Sequence, residues 1–455
     1  MIKTFILILI LGASVGAAEK PNVIIFFIDD LGYSDISPFG SKDIPTPNLD
    51  RLAKEGVVCK DTYVTNPPCC PSRVSLIMGM YGQRFGKYGM SRGLPIPEDK
   101  DNMAKFMNRN GYVTGQIGKW DIGSKQQTAL NIGFKEVLQT PPKKTYKKSE
   151  VTAKNKYSKT GKSKFICINQ KGEEQWLTDY DGDRCIEWIE KHKEKPFFMY
   201  FSPEAVHSSN IEATEELKRR STVKDKKRVH LAAAIVSVDD QVGKILDTLD
   251  RLKLREKTLF IFSSDNGPNL GEGGTALPYR GGKGGGTQQI GWTLSPTIIS
   301  RPGTIPQGKV YDGMMCTLDF YATIAAQIGA EKPAHLDGID VTPYLQGKKS
   351  GDAHNFLFWD NSDPTDAERR NMLAVRWKDW RLYKKYKKDD WQLFDIKKDP
   401  QEKKDVASAN PEVISNMLAA YKKWQKDNVP VKKVSKAPKG ESENSKGHKW
   451  MTSEK

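Results

Sequence analysis

Residues 22–30 read NVIIFFIDD, six consecutive apolar residues after an asparagine and then two aspartates. A run without polar alternation predicts a strand covered on both faces, the habit of parallel strands in α/β sheets. The same texture recurs at 196–201 (PFFMYF), 258–262 (TLFIF) and 297–299 (TII), all read here as buried parallel strands. Helical patterns lie between them. Thr46 and Pro47 look like an N-cap and a first helical position, with Gly56 past the end. From His230 to Leu254, the residues Ile235, Val238, Val242, Ile245, Leu246 and Leu249 mark one helical face. Strands alternating with helices predict an α/β fold, a large mostly parallel sheet with helices on both faces.

After Leu345 the texture changes to short aromatic-rich segments at 356–359, 373–377, 380–383 and 391–395, which predict a smaller antiparallel sheet. A last helix after Pro411 carries Ile414, Met417, Leu418, Tyr421 and Trp424 on one face. The expected organisation is a large domain over 19–345, a smaller α+β domain over 346–430 and a basic tail over 431–455.

The chain has 455 residues, with 72 Lys+Arg against 56 Asp+Glu and a formal charge of +16. At 37% hydrophobic and 28% charged, it is too charged for a multi-span membrane protein and apolar enough for a real core. Its 17 Phe, 16 Tyr and 10 Trp exclude a wholly disordered chain, and six cysteines exclude a disulfide-built miniature scaffold. Residues 1–18 carry Lys3, an apolar run and small residues, the pattern of a signal peptide cleaved near Ala17 or Ala18. The expected location is therefore secreted or periplasmic. The apolar run is too short for a stable membrane anchor, and no cysteine follows it to carry a lipid. Ten lysines and one acidic residue, Glu150, crowd 143–171, and the tail is lysine-rich and reads as disordered. Outside a cell such a surface favours an acidic polymer such as a sulfated or carboxylated glycan; a merely solubilising charge run fits equally well.

Asp29-Asp30 closes one apolar run, and Asp265-Asn266-Gly267 follows another after two serines. Ligands of open parallel sheets bind beyond the carboxyl ends of strands. Either pair alone reads as a turn or a helix cap. Two such pairs on matching strand ends read as an all-oxygen site for a hard cation, suited to calcium or magnesium rather than zinc. A third element is Cys69-Cys70-Pro71-Ser72-Arg73. Pro71 suits a first helical turn, which puts Cys69 just ahead of a helix N-terminus where an anion is favoured. Arg73 adds a guanidinium fork. A pair of buried or disulfide-linked cysteines is the alternative, and Cys167 and Cys185 are another pair that a disulfide could join. His192 lies in a lysine-rich stretch and is expected to face solvent; His230, His335, His354 and His448 lack paired ligand spacing. The glycine cluster 281–286 lacks the strand–glycine–helix unit of a nucleotide site, and no nucleic acid is expected as a specific partner.

Residues 69–79 (CCPSRVSLIMG) resemble the type I sulfatase signature C-x-P-S-R-x-x-x-x-[TM]-G at every defined position. Segments 21–35 (PNVIIFFIDDLGYSD), 46–56 (TPNLDRLAKEG), 111–123 (GYVTGQIGKWDIG), 195–207, 265–267 and 280–284 (RGGKG) match the family in order. So do 374–382 and 393–400 (LFDIKKDP) in the smaller domain. The resemblance covers nearly the whole chain after the signal segment. It implies an alkaline-phosphatase-like fold and a hydrolase of O-sulfate esters on a sulfated carbohydrate.

The same resemblance implies that a formylglycine-generating machinery oxidises Cys69 to an aldehyde, held as its hydrate. One calcium ion, magnesium being less suited, would be held by Asp29, Asp30, Asp265, Asn266 and the modified Cys69. Arg73 would steady the hydrate, and Lys119, His207 and Lys283 would contact the sulfate group and the leaving oxygen. These roles agree with electrostatics, since a cation and fixed ammonium groups stabilise charge developing on the bridging oxygen. A hydrate also avoids attack by water at sulfur, because its second hydroxyl can expel sulfate by C–O cleavage. His207 suits protonation of the leaving alcohol, as imidazole titrates near working pH.

Three positions depart from the family pattern. Asp121 stands where the second signature usually carries a histidine, so it either serves as the base or contacts the substrate. Residues 285–290 (GGTQQI) replace a glutamate-glycine-glycine turn, which reads as a reshaped rim or as neutral loop variation. Val206 replaces a proline before His207. Two further readings remain open at this point. One is a formylglycine-dependent phosphoester hydrolase on the same fold, since two-zinc versions need more histidine context than six residues supply. The other is a silent polyanion-binding protein, motivated by Asp121 and the lysine-rich segments.

Overall fold

The computed structural model describes residues 20–89, 95–124, 126–138, 166–207, 215–283, 289–362, 373–384, 386 and 389–430. The expected signal segment, most of the lysine-rich 143–171 stretch, residues 284–288 of the expected rim and the basic tail lie outside them.

Eight strands build the main sheet: β1 Asn22–Ile28, β2 Val57–Cys59, β3 Val113–Gly118, β4 Glu136–Leu138, β5 Phe197–Ser202, β6 Thr258–Ser264, β7 Thr297–Ser300 and β8 Lys309–Tyr311. Their spatial order is β8-β2-β7-β6-β1-β5-β3-β4. β1 is central and parallel to both neighbours, with Val23 opposite Phe198 on one side and Leu259 on the other. All of β1 is buried. Ile24, Phe26 and Ile28 enter one hydrophobic core, while Val23, Ile25 and Phe27 enter the other. Alternate side chains thus feed two cores, which is why the run shows no polar alternation. Each such side chain contributes about 1.5–3 kcal/mol when fully buried.

The expectation of a parallel strand at 297–299 is corrected: β7 runs antiparallel to both β2 and β6. Continuous apolar texture reports burial on two faces and carries no information on strand direction. β3 is not legible from the sequence, because Thr114, Gly115 and Gln116 interrupt its apolar run. Gly115 is required there by packing, since a Cβ would lie 2.7 Å from the Trp188 ring.

The helices that matter for the site are α1 Pro47–Lys54, α2 Cys69–Met78, α3 Leu177–His192, α4 Arg228–Arg251, α5 Asp319–Gln327 and α6 Pro411–Gln425. α4 packs in the core on the Phe26 face, and α2 and α5 in the core on the Phe27 face. Thr46 precedes α1, but its side chain does not cap the helix. Its hydroxyl accepts from Ser37 N at 2.9 Å. The cap comes from Asp239 of α4, whose carboxylate accepts Asn48 N at 3.1 Å and Leu49 N at 2.8 Å. A carboxylate there also suits the helix dipole. His192, expected to face solvent, instead stacks on Trp188 with ring centroids 4.7 Å apart and lies 2.9 Å from Glu136 Oε1. Its partner arrives on β4, which local composition cannot announce. Cys185 of α3 is a free buried thiol, so the Cys167–Cys185 disulfide is not made.

A second sheet holds β9 Leu357–Asp360, β10 Leu373–Trp377, β11 Trp380–Lys384 and β12 Gln392–Asp395, antiparallel and in chain order. On α6, Trp424 stacks on Phe358 at 5.1 Å and meets Tyr81 edge-on at 5.2 Å. Trp359 Nε1 donates to Val64 O at 2.7 Å. Leu357, Val375 and Leu393 join the same hydrophobic cluster as Phe26 and α4, so the small sheet extends that core. Among the described residues no helix is long and apolar enough to cross a membrane.

Candidate active site

β6, β1, β5 and β3 are parallel neighbours, so their carboxyl ends open on one edge of the sheet. β1 runs into Asp29 and Asp30, and β6 into Asp265 and Asn266. β5 ends at Ser202 and leads to His207; β3 leads to Lys119 and Asp121. Asp30 and Asp121 sit in the left-handed region, at φ 63° and 44°, which aspartate tolerates better than most residues. Gly118 is also left-handed, and a Cβ there would lie 2.1 Å from Ser202 O. Glycine lets the chain close on β5, where Lys119 N donates to Ser202 O at 2.6 Å. The 203–207 loop is stitched to β1 by Val206 N to Asp29 O at 3.0 Å and Asp29 N to Ala205 O at 3.4 Å.

α2 begins at Cys69, with Pro68 as its N-cap. Cys69 therefore lies inside the first turn rather than ahead of it, and Pro71 is the third helical residue. That turn lacks intrahelical acceptors for its amides, so proline fits there. Cys69 and Arg73 are one turn apart on a helix buried from end to end.

One ligand atom each from Asp29, Asp30, Cys69 and Asp265 lie within 4.8 Å of one another, and all four residues are buried. Lys119 Nζ donates to Asp29 Oδ2 at 2.5 Å. Lys283 Nζ reaches Asp30 Oδ1 and Oδ2 at 2.7 and 2.9 Å and Cys69 Sγ at 3.0 Å. His207 Nε2 is 3.7 Å from Asp30 Oδ2. Arg73 binds Asp265 Oδ2 through Nε at 2.9 Å and Nη2 at 2.7 Å. Its Nη1 turns to Ser202 Oγ, to Tyr200 OH at 3.3 Å and to Lys119 O at 3.5 Å. The guanidinium thus fixes Asp265 and the end of β5. Sequence reasoning misses Ser202 and Tyr200; Tyr200 lies opposite Ile25, inside the sheet, and only the folded register brings it to Arg73.

Burial would raise Asp29, but Lys119, His207, Arg73 and Lys283 together hold its carboxyl well below the usual range. Asp265 is pushed up to about 7, by burial and by the neighbouring Asp29 charge against the pull of Arg73. The Cys69 thiol is raised well above its ordinary value by burial, with Lys119 opposing and Asp29, Asp265 and Asp30 reinforcing. Such a thiol is a poor nucleophile as it stands. His207 is lowered by burial, which outweighs Asp29 and Asp30.

Asn266 supplies an independent sign of a cation site. Its Nδ2 donates to Asp30 Oδ1 at 2.7 Å and Gly267 O at 2.8 Å, leaving Oδ1 buried with no hydrogen-bond partner among the described residues. Three buried carboxylates and an orphaned amide oxygen fit a hard divalent cation. Asp121 is 7% exposed, and its Oδ2 makes no hydrogen bond among the described residues; Lys119 Nζ lies 3.8 Å away. All ten residues read from the sequence as a site therefore border one basin.

A second grouping, Cys316, Asp319 and His354, also lies within 4.8 Å. Here Asp319 accepts from Cys316 N at 2.8 Å and Ile339 N at 2.9 Å and sits 2.7 Å from His354 Nε2. Its oxygens are engaged by two backbone amides and by the imidazole. His354, which shows no paired spacing in the sequence, is held by this fold-made partner, and Asp319 raises its pKa against burial.

The Sulfatase family profile matches residues 21–330, and that of the N-sulphoglucosamine sulphohydrolase C-terminal region matches 293–427. The chain belongs to the sulfatase family. It is a sulfuric ester hydrolase on the family's fold. N-acetylgalactosamine-6-sulfatase of Sus scrofa is 30% identical over 375 residues, covering 75% of this chain and 70% of its own. Arylsulfatase A of Bos taurus is 29% identical over 401 residues, covering 81% and 76%. The crystal structure of Ps i-CgsB superposes with a TM-score of 0.78 at 31% identity, covering 90% of this sulfatase and 94% of that chain. The same protein in complex with k-i-k-neocarrahexaose gives 0.77 at 29% identity, with the same coverage of both chains.

Replacing Arg73 by Lys keeps the charge but removes the paired hold on Asp265 and the contacts to Ser202 and Tyr200. The expected outcome is a fall of about 10²-fold in kcat/KM for an aryl sulfate, measured by sulfate release.

Proposed function

We propose that this sulfatase is exported, depends on calcium, and hydrolyses O-sulfate esters of a sulfated glycan through a formylglycine made from Cys69. The observation that carries the reading is the seating of Cys69 among Asp29, Asp30 and Asp265, with Lys119 and Lys283 on the same carboxylates. The glycan rests on the names of the relatives: one is named for N-acetylgalactosamine 6-sulfate, and another was crystallised with a neocarrahexaose. Export rests on the sequence of residues 1–18.

Asp29, Asp30, Asp265, the Asn266 amide oxygen and the modified Cys69 would hold the calcium ion. That ion would supply positive charge against the sulfate oxygens and the attacking oxygen. The hydrated aldehyde supplies two hydroxyls, one to displace the alcohol at sulfur and one whose deprotonation returns the aldehyde and expels sulfate.

The chain's own residues do the rest. Lys119, on Asp29, and Lys283, 3.0 Å from Cys69 Sγ, supply two ammonium groups to grip the sulfate oxygens. His207, at the open edge of the basin, hands a proton to the leaving oxygen. Arg73 keeps Asp265 in place. Asp121 Oδ2 makes no hydrogen bond among the described residues and lies 3.8 Å from Lys119 Nζ, which suits the acceptance of a proton from the nucleophile at the position where the family signature has histidine.

Cys69→Ala should abolish sulfate release from aryl and sugar sulfates, and intact-mass analysis of the native protein should show the Cys69 sulfur replaced by oxygen with the loss of two hydrogens, as the aldehyde requires. A thiol found at Cys69 in fully active enzyme would overturn the reading.

Calcium should raise the melting temperature by linkage, about 2.7 kcal/mol at a hundredfold excess over Kd. Chelator should reverse that shift, and Asp30→Asn should lose it, in a thermal-unfolding assay that needs no turnover.

If Asp121 is the base, Asp121→Asn should lower kcat by about 10²-fold or more, and Asp121→His should recover part of it. Equal kcat in the wild type and Asp121→Asn would assign Asp121 to substrate contact instead.

A further inference from the structure

We propose that Glu402, which follows the small sheet, is a positioning residue for Lys283, holding the segment that carries this lysine over Asp30 and Cys69. The proposal rests on the reading above, in which Lys283 contacts the sulfate group. Glu402 is 1% exposed and takes the left-handed conformation, at φ 49°, without being glycine. It closes the turn after β12, its amide donating to Asp399 O at 3.0 Å. Its buried carboxylate bridges the small sheet, through Arg381, and the loop after β6, through Ile290.

There Glu402 meets both ends of the Lys283 segment. On the near side, Arg280 donates from Nη1 to Glu402 O at 3.1 Å, and its Nε lies 3.6 Å from Glu402 Oε2. On the far side, Ile290 N donates to Glu402 Oε2 at 3.3 Å. Glu402 Oε1 pairs with Arg381 Nη1 of β11, a guanidinium that is itself fully buried. Arg280 is tied further by its own amide to Pro400 O at 3.2 Å and by Nη2 to Tyr383 OH at 3.2 Å. The two ends also bond to each other, Gly291 N to Arg280 O at 2.9 Å. One buried carboxylate therefore sits between two guanidinium groups and fastens a strand of the small sheet to the base of a catalytic segment.

Between those ends Lys283 is fixed at its backbone by Lys283 N to Pro268 O at 2.7 Å. Its side chain is four methylenes long, so the place of its ammonium depends on where that backbone sits. A displacement near 1 Å at a reacting centre can cost about 10²-fold in rate. Glu402 is far from the sulfur yet sets this geometry, which gives the C-terminal sheet a part in the reaction beyond covering a core.

The test is a double-mutant cycle on kcat and KM for an aryl sulfate, with Glu402→Gln, Lys283→Ala and the double variant as calcium-loaded, formylglycine-bearing enzyme. Expected are a fall in kcat of about tenfold for Glu402→Gln, a larger fall for Lys283→Ala, and a double variant no slower than Lys283→Ala alone. Loss of structure in general would lower activity by the same factor in both backgrounds, so multiplying losses would overturn the proposal. So would a Glu402→Gln enzyme within twofold of wild type. Should Glu402→Gln fail to fold, Arg280→Ala cuts the same link from the partly exposed partner and is run through the same cycle. A double variant no slower than Lys283→Ala would then support the proposal, and multiplying losses would overturn it. A Lys283→Ala enzyme as active as wild type would remove Lys283 from the reaction and overturn the earlier reading as well.

Discussion

Asp29, Asp30 and Asp265 are each at most 2% exposed, and charges taken that far from water must be matched or they are neutralised. The matching is nearly one to one: Lys119 on Asp29, Lys283 on Asp30, Arg73 on Asp265. Each cation arrives from a different part of the chain, so the burial of three carboxylates dictates where β3, α2 and the loop after β6 must go. Under the proposed function the carboxylates and the Asn266 oxygen would hold a cation, and the lysines that pair with them would receive an anion.

Such a cluster needs a rigid edge. Parallel strands provide one, because their carboxyl ends line up wherever neighbouring strands run in register. Gly118 brings the chain after β3 against Ser202 at a distance that no side chain allows, and this seats Lys119. The strands themselves are held by two cores, one on each face, fed by alternate residues of β1. The small sheet extends one of those cores and sends Glu402 back to the loop that bears Lys283.

Neither of the two departures from the family pattern that fall within the described residues disturbs this frame. Asp121 Oδ2 lies 3.8 Å from Lys119 Nζ and makes no hydrogen bond among the described residues. Val206 fills the proline position, with a cis peptide from Ala205, and its amide still bonds to Asp29 O. Within the described residues, Asp121 changes the chemistry next to Lys119 relative to the family pattern and leaves the carboxylate cluster in place.

Local sequence announced the elements whose cause is local. Two-sided burial wrote itself into the apolar runs of β1, β5 and β6, and the aromatic segments after Leu345 marked the small sheet. Asp29, Asp30, Asp265 and Asn266 were legible as polar groups after apolar runs, and Cys69 and Arg73 at a helix start. Lys119, Asp121, His207 and Lys283 lie in connecting segments and were read only through the family resemblance. The direction of β7, the Glu136 partner of His192, the Asp239 cap on α1 and the contact between Cys316, Asp319 and His354 were not. In each, a residue's environment is made by another element far away in the chain, and hydrophobic texture is the same for either strand direction. The amino-acid order by itself determined which side chains carry the chemistry and which strands bury themselves. Tertiary structure alone decided which buried charge faces which, because electrostatic pairing depends on distances that are set only after the strands have lined up.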